Sequence, residues 1–310
     1  MAHPVDGNRF TTDNYRGITL SPIISKLPES VLLSQFKDQL TSDQLQFGFK
    51  PKSSCSHAVF TFKTVIDYYI KNDCTDNICA LDISKAFDRV NNYKLFCVLM
   101  DRLLPRQFIA LLCDWLAKCF VCMWWGSTYS SWFRILAGVR QGAILSPILF
   151  AVYMDPLIMQ LRQLGLGCRL LNEFYGCLLY ADDILLITHT VHAMQLMLHC
   201  CDKYADDFDI RFNSGKSVAM RIGKRFSERC VPLQIGNRDI TYVSELKYLG
   251  VHVTAAQQLK FSVEHLRSKF YRTFNCIYSK SVAANSELVT VELIKSYCLP
   301  VYYMQLKQYV

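Results

Sequence analysis

The chain has 310 residues, 51% of them hydrophobic, enough apolar material for one large domain or two ordinary ones and too much for a disordered or fibrous protein. A formal net charge of +8 suits an anionic partner such as nucleic acid without identifying one. The fourteen cysteines are scattered through apolar surroundings (Cys97, Cys113, Cys168, Cys177), and a chain this long needs no stapling, so they read as reduced core residues.

Cys119 and Cys122 have C-x-x-C spacing, but no second pair or suitable His follows. The N-terminus is polar, without a signal peptide, and no apolar run approaches the roughly 18 residues of a membrane-spanning helix. The expectation is an intracellular protein, nuclear or cytoplasmic.

In chain order, residues 54–71 place Val59, Phe62, Ile66 and Tyr69 at helical spacing, with Ser53 or Ser54 as cap and an end near Asn72. NICALDIS (77–84) is a short apolar strand ending at Asp82, and 85–100 reads as a helix. Residues 132–137 read as a strand, and the loop GVRQGA (138–143) leads to a helix with Ser146 as N-cap and Pro147 at its first position. Within that helix Pro156 predicts a kink, with Asp155 capping the second segment.

A hairpin over 178–188 follows, then a helix over 192–207 with Met194, Met197, Leu198, Cys201 and Tyr204 on one face. Strands are expected at 209–213, 217–222 and 246–253. From 261 to 280, Leu266, Phe270, Phe274 and Ile277 form an apolar stripe beside His265, Lys269 and Arg272. Helices mixed with hairpins argue for an α+β fold with an antiparallel sheet.

Within the hairpin LLYADDILLIT (178–188), Asp182 and Asp183 stand between two apolar runs. Asp is a good turn residue, so a plain hairpin explains the pattern. A carboxylate near a core, however, is usually paired or bound to a metal. If the strand ending at Asp82 lies beside the hairpin, three carboxylates cluster and repel unless cations neutralise them. Such oxygen ligands suit Mg²⁺, and two such ions are a clamp for phosphoryl displacement.

LDISKAFDRVN (81–91), GVRQGAILSPILFAVYMDPL (138–157), LLYADDILL (178–186), FNSGKS (212–217) and LKYLGV (246–251) together resemble, in order and spacing, the motifs of reverse transcriptases from non-LTR, LINE-like retrotransposons. Upstream, NYRGITLSPIISKL (14–27) and QFGFKPKSSCSHAV (46–59) resemble that family's fingers motifs. The likeness covers about residues 13–300.

It implies a right-hand polymerase fold, with fingers and an antiparallel palm sheet in a reverse transcriptase domain over 1–254 (fingers motifs about 13–80) and a truncated helical thumb from 255 to 310. The implied activity is RNA-directed DNA polymerisation: RNA template, DNA primer or RNA/DNA duplex, and dNTPs as partners. Two Mg²⁺ ions, or Mn²⁺, would be held by Asp82, Asp182 and Asp183 with Ile83 in the metal shell. By the same likeness Gln141 and Gly142 shape the nucleotide and template pocket, and Phe87 stands where the family blocks a ribose 2′-hydroxyl. Lys216 matches a general acid toward pyrophosphate, and Tyr248, Leu249 and Gly250 resemble the primer grip.

Arg16, Lys50 and Lys52 fall in fingers motifs that would meet triphosphate and template, although Lys is a point charge where the family more often has the forked Arg at the latter two positions. A further departure is LPES after the LSK-like segment, where Pro28 predicts a kinked or broken helix. An inactive element remnant that keeps fold and nucleic-acid binding is the alternative of a different class, and a telomerase- or intron-maturase-like relative is another.

Overall fold

The apolar runs at 78–81 and 184–187 lie side by side at the centre of a six-stranded sheet in the computed structural model, which describes residues 2–4, 15–281 and 286–300. Its strands are β1 (Thr75–Leu81), β2 (Cys177–Tyr180), β3 (Asp183–Thr188), β4 (Val218–Gly223), β5 (Leu233–Ile235) and β6 (Arg238–Tyr242). They are ordered β2-β3-β1-β4-β6-β5. All neighbours are antiparallel except β4 and β6, which run parallel.

The helices are α1 (Ile23–Gln35), α2 (Cys55–Lys71), α3 (Asn92–Asp101), α4 (Arg106–Ala117), α5 (Leu145–Gln163), α6 (Val191–Asp207), α7 (Glu264–Ser281) and α8 (Glu287–Tyr297). Both α2 and α6 pack against β1. Residues 184–187 are all buried, so their unbroken apolar run reflects a strand covered on both faces. The predicted stripe of α6, from Met194 to Tyr204, is fully buried as its spacing requires. No described helix is long and apolar enough to cross a membrane, and all fourteen cysteines are free.

Several elements depart from the sequence reading, each for a local reason. The expected helix over 85–100 is broken: Lys85 is left-handed (φ 50°), a short 3₁₀ turn covers Ala86–Arg89, and α3 starts only after Asn91. The Asn91 side chain accepts the Lys94 N–H at 3.1 Å, the bond that makes Asn a strong helix start. The expected strand at 246–253 is two strands, β7 (Glu245–Tyr248) and β8 (Val251–Thr254), continued by β9 (Lys260–Ser262). Leu249 and Gly250 both have positive φ, 47° and 87°, which closes a two-residue hairpin turn. Of residues 132–137 only Phe133–Arg134 are strand, paired with Phe120–Val121. At 209–213 the described backbone makes only an isolated bridge, Phe212 to Ile83.

Pro28 does not break α1. The proline removes one N–H, while its neighbour Glu29 anchors the helix: buried to 3% exposure, it accepts the N–H groups of Ile144 (2.6 Å) and Leu145 (3.2 Å). Arg140 lies 3.6 Å from the other Glu29 oxygen. This contact also moves the start of α5. The helix begins at Leu145, not after Ser146, because a carboxylate from α1 satisfies its first donors and meets the positive end of its dipole. Likewise α5 is assigned as one helix through Pro156, and Asp155 caps no second segment. Its carboxylate instead accepts the Asp43 N–H (3.0 and 3.1 Å) and pairs with Arg102.

Candidate active site

Antiparallel registry builds the site. Ile184 of β3 faces Leu81 of β1, so the next pair outward is Asp183 opposite Asp82. On the other side Asp183 faces Tyr180, leaving Ala181 and Asp182 as a two-residue turn. The three aspartates therefore lie at one end of the sheet, where β1 ends and the β2–β3 turn closes. Asp182 and Asp82 are half-buried and Asp183 is exposed. Two like charges in directly opposed strand positions are unfavourable unless something positive lies between them. The donor set is all carboxylate oxygen, which fits a hard divalent cation such as Mg²⁺ or Mn²⁺.

The turn is held from outside. Ala181 has φ 57°, a left-handed conformation that costs a side-chain-bearing residue roughly 1–2 kcal/mol. Gln46, fully buried, clamps it: Oε1 accepts the N–H groups of Ala181 (3.0 Å) and Gly48 (2.9 Å), and Nε2 donates to the Ala181 carbonyl (3.3 Å). The Phe47 N–H donates to the Leu179 carbonyl and the Leu179 N–H to the Leu45 carbonyl, both at 2.8 Å, so the 45–47 segment runs beside β2. Only glycine fits at 48, since a β-carbon there would collide with the Ala181 backbone nitrogen.

Asp82 is gripped through its backbone. Its N–H donates to Ser217 Oγ (3.2 Å) and its carbonyl accepts from the Asn213 N–H (2.8 Å). Ser217, 1% exposed, in turn donates to the Asn213 carbonyl (2.8 Å). Lys216, one residue earlier, is exposed. Ile83 is buried in the bridge to Phe212.

The loop that carries Gln141 is also brought against the Phe87 segment, while Gly142 (φ 104°) packs on the Thr19 carbonyl. Val139 and Gly138 donate their N–H groups to the carbonyls of Phe87 and Val90, each at 2.8 Å. Gly138 (φ 88°) has no room for a side chain, whose β-carbon would sit 2.8 Å from the Phe87 carbonyl. The Phe87 ring is half-buried, stacked on Phe150 (4.9 Å between centroids) and edge-on to Phe49 (5.9 Å). Gln141 reaches Asp88 at 3.5 Å and its carbonyl accepts the Thr19 N–H.

Tyr248 is buried against Phe62, and its phenol is pushed far up by burial, with the Asp183 charge adding to the effect. The basic residues are less convergent. Lys50 donates to the carbonyls of Ser42 and Asp43 (3.1 Å each), Lys52 is exposed, and the Arg16 side chain lies outside the described residues.

Sequence reasoning did not single out Gln46, Gly48 or Ser217. All three sit inside quoted motifs, but nothing in a linear pattern separates a buried polar clamp from a solvated one.

A family model described as reverse transcriptase (RNA-dependent DNA polymerase) matches residues 6–253. The chain is 24% identical over 259 residues to the Retrovirus-related Pol polyprotein from type-2 retrotransposable element R2DM of Drosophila melanogaster, covering 80% of this chain and 24% of that protein. It is 27% identical over 303 residues to the RNA-directed DNA polymerase from mobile element jockey of Drosophila funebris, covering 92% and 31% respectively. The chain thus spans less than a third of the length of these two curated relatives. Among solved structures, a Candida tropicalis telomerase in complex with a TWJ fragment of telomeric RNA aligns with a TM-score of 0.54 at 11% identity, covering 93% of this chain and 47% of that one. The apo enzyme truncated from its C-terminal domain aligns at 0.51 and 14%, covering 77% and 45%. At such identities the likeness is one of fold.

Proposed function

Because the chain belongs to the reverse transcriptase family, we propose that it is an RNA-directed DNA polymerase that extends a primer's 3′-hydroxyl with deoxynucleotides on an RNA template. The observation that carries this reading is the placement of Asp183 opposite Asp82 with Asp182 in the adjoining turn. In the same reading the six-stranded sheet is the palm, the segments before it supply the fingers, and α7 with α8 begins the thumb.

Asp82, Asp182 and Asp183, with Ile83 beside them, would hold two Mg²⁺ ions, or Mn²⁺. Bound there, such ions neutralise charge on the attacked phosphate and favour the ionised primer hydroxyl. The loop carrying Gln141 and Gly142 lies against the Phe87 segment and shapes the pocket for the paired nucleotide. Lys216, exposed beside the residue that grips Asp82, would in this reading protonate departing pyrophosphate. Lys50 reaches a triphosphate only by releasing the Ser42 and Asp43 carbonyls, whereas Lys52 is exposed; Arg16 completes the basic set from the fingers.

Extension of oligo(dT) on poly(rA) with Mg²⁺ tests the proposal. The wild-type chain should extend, while Asp82→Asn or Asp182→Asn should abolish extension and leave duplex binding largely intact, because phosphate contacts elsewhere persist. Normal turnover by either variant would overturn the assignment. Phe87 is the proposed sugar gate: Phe87→Val should admit ribonucleotides by removing a clash. An unchanged dGTP-to-rGTP ratio of kcat/KM in a folded Phe87→Val protein would leave the ring as core packing alone.

A further inference from the structure

At the opposite end of β1 from Asp82, three side chains of different chemistry converge. Asp76 is fully buried near the start of the strand. Its Oδ1 lies 3.0 Å from His189 Nδ1 and 3.8 Å from Cys168 Sγ, and Sγ is 3.7 Å from Nδ1. Cys168 is also fully buried. His189 directly follows β3, its side chain 34% exposed and its ring against Tyr69 (3.9 Å between centroids). The second Asp76 oxygen, Oδ2, is buried and has no hydrogen-bond partner.

A plain Asp–His hydrogen bond with a thiol alongside accounts for Oδ1 and leaves Oδ2 unexplained. A buried carboxylate oxygen without a partner is costly, and such atoms mark strain, function or a missing ion. Around a tetrahedral zinc ion, bonds of about 2.0–2.3 Å place donor atoms roughly 3.3–3.6 Å apart. The three observed separations, the two to Asp76 measured from Oδ1, fall within a few tenths of an ångström of that range, and a carboxylate that binds through both oxygens engages Oδ2 as well.

We propose that Asp76, Cys168 and His189 form a site for a borderline-soft divalent cation of the zinc class, with the half-exposed His189 side open for entry and for a water as fourth ligand. Thiolate with imidazole and carboxylate selects such an ion over Mg²⁺ or Ca²⁺, which prefer oxygen alone. The thiol proton leaves to solvent as the ion binds. The ion ties the start of β1 to the end of β3 and to the loop before the strand Arg169–Leu170. These are the same two strands whose other ends carry Asp82 and Asp183, about 20 Å away along the sheet. The site is independent of the polymerase reading.

Cobalt titration of the metal-stripped 310-residue chain reads the site directly. One equivalent of Co²⁺ should produce tetrahedral d–d bands with a thiolate-to-cobalt charge-transfer band. Zn²⁺ should displace the spectrum and raise the Tm. Cys168→Ser and His189→Ala should lose the charge-transfer band and the Tm shift, or weaken binding at least tenfold, while Cys119→Ser and Cys122→Ser should not change them. If Cys168→Ser fails to fold, His189→Ala, altered at a partly exposed position, carries the test alone. Absence of the bands in the wild type, or their persistence in a folded Cys168→Ser or His189→Ala protein, overturns the site.

Discussion

Ala181 adopts a backbone conformation that a glycine would take at less cost, directly before Asp182 and Asp183, and Gln46 holds it by accepting its N–H and donating to its carbonyl. Strain of this kind persists where surrounding contacts over-determine it. Gln46 is thus a positioning residue for the Asp182–Asp183 turn. Gln46→Ala would orphan the buried N–H groups of Ala181 and Gly48, a penalty of about 1–3 kcal/mol for each lost partner. The expected outcome is a lower Tm, together with a fall in kcat of about 100-fold, since small displacements of catalytic groups are costly. Duplex affinity should hold. Equal losses in duplex binding and kcat would instead mark a general structural defect.

At the scale of elements, α5 is fixed by charges brought from elsewhere in the chain. Glu29 caps its start, and Asp155 in its middle ties it to Asp43 and Arg102. Burial pushes the Asp155 carboxyl up to about 6 from an ordinary 3.8, outweighing the Asp43 N–H and the Arg102 charge that pull it down. The folded state then holds this proton more tightly than the unfolded chain. The group's contribution to stability is full below pH 4 and is lost as pH rises through about 6. Relative to Asp155→Asn, the wild type should lose up to about 2 kcal/mol of unfolding free energy between pH 4 and 6, measured by urea denaturation. A gain over that interval would show that the Arg102 pair dominates.

For the whole molecule, a net charge of +8 and the exposed His265, Lys269 and Arg272 on α7 favour sequence-independent phosphate contacts. Those three residues flank the half-buried stripe of Phe270, Phe274 and Ile277, as the helical spacing predicts; the Leu266 side chain lies outside the described residues. Binding to poly(rA)/oligo(dT) should weaken steeply with salt. Lys269→Ala with Arg272→Ala should reduce the slope of log K against log salt by about 2, one counterion per lost contact. An unchanged slope would remove α7 from the duplex-binding surface.

Periodicity identified α2, α6 and α7, because a helix half-buried in one core must repeat its apolar residues at its own period, whereas the β2–β3 hairpin was read from two unbroken apolar runs around a polar break. The Asp182–Asp183 pair between its apolar runs admitted a plain turn as well as a metal site, and it was the ordered motifs around it, with Asp82 at the end of an apolar strand, that singled out the three aspartates as candidates. What the chain order could not convey was which distant group satisfies a local need. Pro28 looks like a kink or break in a linear reading, yet α1 runs on, anchored where Glu29 meets the first amides of α5, and α5 continues through Pro156 with no second capped segment. The Gln46 clamp joins residues 135 positions apart, and the Asp76–Cys168 contact spans 92. Such partners are chosen by the sheet registry and the packing around it. Only the folded chain determines which buried polar atoms find a partner and which, like Asp76 Oδ2, do not.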